Sequence, residues 1–377
     1  MSKIIVFEPR CEIMIHQVFN AGIIAIMGRL YPSPDNSITF YAEKAHFQII
    51  QQNIPFRMNH IEIHIPHGVT RKDELQKILF DFKTIWKIKG QKPDVLICTS
   101  VSPSVIYFAK KLLRQTKVVL FFHLLGWLKR RPVQFYKFTY WTYRVLEMQR
   151  DNCIQMVNGE SIVNELKKEQ SKAVFGYLDH PQPVYSDTIL SLNVKSINFG
   201  VIAGGARYKG AHLLFDLEKE LQEYTNRIEF YQKGCFENDI AIPADTRVHI
   251  VDDKDLVALS SLNSLVNKLN YCIFFYPCDS YKLGSSGALT MALAHLKPII
   301  AFRNPYFEYL FAKLGNIGYL CNTFDEMVSI IKNILNDNDN DYYVMLQNNI
   351  KQGMKYLSTD YLAEQMRQIL SKLRVKK

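Results

Sequence analysis

The chain has 377 residues, 48% of them hydrophobic, which is enough for two domains with separate cores and too apolar for a disordered chain. The formal charge of +10 is uneven: residues 1–183 hold 25 Lys/Arg against 15 Asp/Glu, and residues 184–377 hold 21 of each. The seven cysteines (Cys11, Cys98, Cys153, Cys235, Cys272, Cys278 and Cys321) lie mostly in apolar runs without Cys-x-x-Cys or Cys/His spacing. That pattern argues against a disulfide framework or structural zinc and for a reduced, cytosolic setting.

The chain opens with Lys3–Glu8, an apolar run that reads as a strand rather than a secretion signal. The most apolar stretch, Val118–Leu128, is shorter than the roughly 20 residues a membrane-spanning helix needs. Short β-rich runs then alternate with helical patterns. Strands are predicted at Ile4–Phe7, Ser37–Tyr41, Ile61–Ile65, Val95–Cys98, Val118–Phe122 and Cys153–Val157. Helices are predicted at Ile13–Leu30, Arg71–Lys89, Ser104–Arg114 and Pro132–Gln149. This is the pattern of a doubly wound parallel sheet.

From Pro103 to Arg150 there are ten basic residues and one acid, Glu147, interleaved with Trp127, Phe135, Tyr136, Phe138, Tyr140, Trp141 and Tyr143. Such a stretch suits the headgroup layer of an anionic membrane. A solvated helix with its aromatics turned to the core has the same composition. No nucleic-acid-binding module is recognisable, so nucleic acid is not an expected partner.

The segment His180-Pro-Gln-Pro-Val-Tyr185 cannot continue a helix or a central strand and marks the connection between domains. A second alternation follows, with strands predicted at Ile197–Ala203, Arg227–Tyr231, Val248–Val251, Cys272–Tyr276, Pro298–Ala301 and Ile317–Leu320. The expected fold is therefore α/β: two Rossmann-like, doubly wound parallel-sheet domains facing a cleft. The expected division is 1–183, 184–358 and a C-terminal helix in 359–377.

Two runs of the second half carry the chemistry. After the strand ending at Ala203 come Gly204-Gly-Ala-Arg-Tyr-Lys-Gly210, a turn that projects Arg207 and Lys209 and lets a helix start close to the strand at Gly210. After the strand ending at Tyr276 come Ser285-Ser-Gly287 and a helix. Its free N–H groups suit a phosphate at the positive end of the helix dipole. Asp252-Asp253 reads as a turn rather than a metal-holding pair.

In this order the two runs resemble the nucleotide-sugar-dependent glycosyltransferases of GT-B fold, and most closely family 4 (glycosyltransferase group 1) enzymes of bacterial surface-polysaccharide synthesis. The matching residues are Gly204, Arg207, Lys209 and Gly210, then Ser286, Gly287, Leu289, Ala292, Leu293 and Lys297–Ala301. The resemblance covers the whole chain in layout, and its specific motifs lie in the second half. It departs from the family where Met291 replaces a glutamate that holds the donor ribose and Leu283 stands at the position of its partner acid.

The resemblance implies a transferase that takes a UDP- or GDP-sugar as donor and a lipid-linked saccharide as acceptor. It would need no metal or cofactor and would work peripherally at the inner face of the cytoplasmic membrane. The donor would meet Gly204, Gly205, Arg207, Lys209, Ser285, Ser286, Gly287 and, at a helix start, Glu308. In the first domain Glu12 or His16 could take a proton from an acceptor hydroxyl, and His123 stands where related enzymes place a histidine touching the sugar. A sugar-nucleotide epimerase and a non-catalytic binding protein of the same architecture are the competing expectations.

Overall fold

The computed structural model describes residues 2–11, 16–32, 36–68, 70–123, 125, 144–168, 172–183, 185–192, 195–234, 236–251, 259–279 and 281–375. Glu12, the stretch 126–143, Cys235 and Asp252-Asp253 lie outside the described residues. So do most of the predicted helix Pro132–Gln149 and its aromatic side chains. Two compact units form. The first comprises Met1–Pro181, Leu283–Ser285 and Leu357–Lys377, and the second Gln182–Lys282 and Ser286–Tyr356.

The first unit is built on β1 (Ser2–Phe7), β2 (Asn36–Ala42), β3 (Asn59–Glu62), β4 (Val95–Cys98), β5 (Lys117–Phe122), β6 (Cys153–Val157) and β7 (Phe175–Tyr177). The sheet order is β3-β2-β1-β4-β5-β6-β7, and all pairings are parallel. Ile4, Ile5, Val6 and Phe7 are all fully buried, as expected of a central parallel strand covered on both faces. Alternate residues divide between two cores. Ile5, Phe7, Leu96 and Cys98 face one, and Ile4, Val6, Val95 and Ile97 face the other.

The second core also takes Phe19, Ile23, Ile24 and Met27 of helix Gln17–Leu30 and Leu362, Met366 and Leu370 of the last helix, Thr359–Lys372. The last helix starts on a Ser358 cap and ends beside the sheet, where Lys117 Nζ donates to the Leu370 carbonyl at 2.8 Å. At about 1.5–3 kcal/mol for each large apolar side chain removed from water, its three anchors make it part of the first unit's core.

The second unit repeats the plan with β8 (Ile197–Val201), β9 (Ile228–Lys233), β10 (His249–Val251), β11 (Tyr271–Phe274), β12 (Ile299–Phe302) and β13 (Gly318–Cys321). Its order is β10-β9-β8-β11-β12-β13, again parallel. Each sheet thus reverses its strand order once, between β1 and β4 and between β8 and β11. In open parallel sheets ligands bind outside the carboxyl ends of the strands at that reversal.

Most predicted strands lie within two residues of the observed ones. The third is displaced: Ile61–Ile65 was expected and Asn59–Glu62 forms, with Ile63 and Ile65 buried beyond its end. Helix Pro103–Leu112 starts one residue early because Ser102 caps it, accepting from Val105 N, and Pro103 suits the first turn.

Candidate functional site

In the first unit the strand reversal is occupied by a buried carboxylate. Glu8 directly follows β1 and is fully buried. Its Oε1 accepts from Arg10 N at 2.9 Å and Cys11 N at 3.1 Å. Its Oε2 accepts from Asn20 Nδ2 at 3.1 Å, Thr99 Oγ1 at 2.8 Å and Ser100 Oγ at 2.9 Å. Thr99 and Ser100 follow β4, so one side chain joins the loops on both sides of the reversal. A buried charge is tolerable when its lone pairs are filled in this way. Arg10 fixes the same loop through Asp81 at 2.5 Å and Ser102 at 2.7 Å.

Two predicted histidines come together on this platform. His16 has a left-handed backbone (φ 53°) just before helix Gln17–Leu30, and its ring stacks on His123 with centroids 3.7 Å apart. His123 lies just past β5. Its Nε2 is 2.7 Å from the Thr99 carbonyl and must carry the proton, so Nδ1 accepts from Asn158 Nδ2 at 3.3 Å. Burial, with His16 and His180 nearby, holds His123 well below the ordinary histidine pKa. Both of its nitrogens are used, and the ring serves as a wall.

His16 differs. Its Nδ1 lies 3.1 Å from Cys11 Sγ and 3.4 Å from Ser100 Oγ. Ser100 directs its own proton to Glu8, so toward Ser100 the imidazole Nδ1–H is the donor, and Nε2 then carries a lone pair. Burial lowers the His16 pKa, with Glu8 opposing and His46 reinforcing the shift, which favours the neutral, proton-accepting form. His180 completes the group. It contacts Phe19 and donates Nδ1–H to the Pro181 carbonyl at 2.9 Å, and burial pushes its pKa down to about 4.

Glu8, Cys11 and His16 place ligand-type atoms within 4.8 Å of one another. The donors around Glu8 and the thiol–imidazole contact account for this grouping through hydrogen bonding. Sequence spacing gave no sign of the Cys11–His16 contact. The polar pair Thr99-Ser100, right after the apolar strand β4, was the available clue to the rest.

In the second unit the strand reversal sets the glycine turn after β8 against the segment that follows β11. Gly210 has φ 76°, and a Cβ there would lie 2.5 Å from the Phe275 carbonyl oxygen, so the turn after β8 lies directly on the segment after β11. Only glycine meets both demands. The Lys209 ammonium closes back over the turn, 3.7 Å from the position of a Cβ on Gly204. Its pKa is lowered by burial, opposed by Glu237. Gly205 bridges Phe236, which ties the turn to the segment after β9.

Across the reversal, Ser286 caps helix Gly287–Ala294, accepting from Leu289 N at 3.3 Å, and lies 3.1 Å from the Tyr276 hydroxyl. Tyr276 is fully buried and stacks on Tyr281 at 4.3 Å; Tyr281 itself has a left-handed backbone, φ 57°. A Cβ on Gly287 would meet nothing within 4 Å, so the first turn of the helix is open. An exposed turn with free N–H groups, a half-buried lysine and a neighbouring glycine loop can bind a phosphate.

The remaining predicted residues are placed differently. Arg207 is held by Asp239, Nε to Oδ2 at 2.7 Å and Nη2 to the carbonyl at 2.7 Å. Glu308 lies in the first turn of helix Pro305–Leu314, after β12, and pairs with Arg303 at 3.2 Å. Ser285 groups with the first unit, and Leu283 packs into that unit's core. Met291 is buried in its helix.

The two parallel sheets, each reversing its strand order once, give the chain a GT-B fold. No protein-family model and no curated protein sequence matches this chain. Solved structures do resemble it. The HepE protein of Anabaena, in complex with UDP-glucose, has a TM-score of 0.68 at 12% identity, covering 99% of this chain and 100% of that one. Sucrose-phosphate synthase from Thermosynechococcus elongatus gives 0.66 at 14% identity, with 99% of each chain covered. A glycosyltransferase from Rickettsia africae gives 0.66 at 13%, covering 99% of this chain and 98% of that one. At these identities the shared property is the fold.

Proposed function

We propose that the chain is a glycosyltransferase that moves a sugar from a UDP- or GDP-sugar to a hydroxyl of a lipid-linked saccharide, in cell-surface polysaccharide synthesis. One observation carries this reading: Gly210 packs the lysine-bearing turn against Phe275, in the segment that leads from β11 to the open helix start, at the strand reversal of the second sheet. The UDP-glucose held by a protein of like fold supports the choice of donor.

The diphosphate would lie between the Lys209 ammonium and the N–H groups at Ser286 and Gly287. As the glycosidic bond breaks, negative charge builds on the departing diphosphate, and fixed donors around it stabilise the transition state. Arg207 would join them by exchanging Asp239 for a phosphate oxygen. In this reading the cations and N–H groups neutralise the leaving group without a metal. With Met291 and Leu283 at the two acid positions, no carboxylate there holds the ribose.

The first unit would serve the acceptor. In an inverting reaction His16 Nε2 takes the proton from the attacking hydroxyl, while Nδ1–H rests on the Cys11 and Ser100 side of the Glu8 cluster. The ring of His123 forms the wall of that site. None of the described helices is long and apolar enough to cross a membrane. The basic, aromatic stretch Pro103–Arg150 would bring the enzyme to its lipid-linked acceptor at the inner face of the cytoplasmic membrane.

A thermal-shift screen of UDP- and GDP-sugars tests the reading, because a ligand bound only by the native form raises the melting temperature. One class of nucleotide sugar should stabilise the protein, and sugar should then pass to an added lipid-linked saccharide. Silence across the whole screen would remove the donor site, and stabilisation without transfer would favour a binding protein.

A further inference from the structure

At the opposite end of the first sheet's strands, a recess of about 260 Å³ is lined by Arg114, Gln149, Arg150, Asp151, Asn152 and Arg374. Asp151 and Asn152 immediately precede β6, Arg114 lies shortly before β5, and Arg374 follows the last helix. The recess thus belongs to the amino ends of the strands, whereas Glu8, His16 and His123 lie beyond their carboxyl ends.

The walls are firmly tied. Asn152 Nδ2 donates to the Leu113 and Thr116 carbonyls, both at 2.7 Å, and Arg374 N donates to the Asp151 carbonyl at 2.9 Å. Among the described residues the Arg150 guanidinium makes two long contacts, 3.4 Å to the Lys110 carbonyl and 3.4 Å to the Gln149 carbonyl. The Arg114 and Arg374 guanidiniums have no ion pair or hydrogen bond among the described residues. Three guanidiniums therefore share one recess with a single carboxylate, Asp151. Like charges lining one recess repel, and an anion between them would turn repulsion into attraction.

We infer that this recess is a second anion site, built for a phosphate group, and that it stands independently of the transferase reading. Guanidinium forks match phosphate oxygens, and the volume admits a phosphate with a small substituent rather than a nucleic-acid strand. The phosphate would come from a free phosphorylated metabolite or from the headgroup of an anionic lipid, which share this chemistry.

The test compares the full chain with Arg114→Gln/Arg374→Gln, using inorganic phosphate in calorimetry and flotation with phosphatidylglycerol or phosphatidylcholine vesicles. The charge-matched control is Lys72→Gln/Lys83→Gln, at exposed positions on helix Arg71–Gly90. The wild type should bind inorganic phosphate, phosphatidylglycerol vesicles or both. The arginine variant should lose at least tenfold in affinity, and the control should stay within twofold. Binding of phosphate identifies a free anion as the source, and binding of vesicles alone identifies a headgroup. If the double variant is unstable, Arg374→Gln alone, past the last helix, should still lose about threefold. No binding of either probe by the wild type, or equal losses in the two double variants, overturns the site.

Discussion

The two strand reversals of this molecule are built in opposite ways. Beyond β1 and β4, one buried carboxylate collects five hydrogen bonds and holds histidines around it. Beyond β8 and β11, the site is backbone: a glycine turn, an open helix start and one half-buried lysine. The first arrangement is stabilised by satisfied side chains and loses stability when any is removed. The second depends on the absence of side chains and should lose binding before it loses stability. In the proposed function, the same sheet order would serve proton handling in one unit and anion binding in the other.

The strongest break in that comparison is Glu8→Ala. It would strand several buried donors at once, and urea unfolding should report a loss of at least about 3 kcal/mol. A loss below about 1 kcal/mol would mean the carboxylate does not hold the loops together.

Acid should act on the same unit through its buried histidines, and on the second unit through His295, whose pKa burial likewise pushes down to about 4. His180, at about 4, and His123 and His16, also lowered, are neutral in the folded state, while unfolded histidines protonate near 6.5. Below about pH 6.5 the unfolded state binds more protons, so stability falls as pH drops toward 4, by up to roughly 3 kcal/mol for His180. Denaturation followed from pH 7 to pH 4.5 should show this slope, and His180→Gln should flatten it.

In the second unit, Gly210→Ala should cost about 1–3 kcal/mol from the left-handed backbone and push the turn away from Phe275, lowering donor affinity as well. Gly287→Val, where a Cβ meets open space, should leave the melting temperature almost unchanged and still weaken donor binding. Equal thermal losses from both would contradict the contrast. The smallest effect is expected from Asp239→Asn. The exposed Arg207–Asp239 pair contributes no more than about 1 kcal/mol to stability. Its removal should loosen Arg207, leaving the bond of Nη2 to the residue 239 carbonyl, and raise donor affinity roughly twofold, about 0.4 kcal/mol.

Legibility in the sequence followed the same division. Central strands such as Ile4–Phe7 and Val118–Phe122 are apolar throughout because both faces are covered, and they stood out. The edge strand Asn59–Glu62 has no such run, and the three-residue strand Phe175–Tyr177, with a glycine at its centre, passed unnoticed. Gly210, Lys209, Ser286 and Gly287 were readable because glycine turns and helix caps are local features. The Glu8 cluster was not, because Thr99 and Ser100 reach it across 91 and 92 residues and the sheet order alone unites them. The same limit hid the partner of Arg207, Asp239, which lies 32 residues away.

The central claim is that one diphosphate is held jointly by the turn after β8 and the helix start after β11. Calorimetric titration of wild type and Lys209→Ala with UDP-glucose and GDP-glucose tests it most directly. Affinity for the sugar nucleotide that the wild type prefers should fall at least tenfold, about 1.4 kcal/mol, in a variant of unchanged fold. Equal affinity in the two proteins would contradict the account.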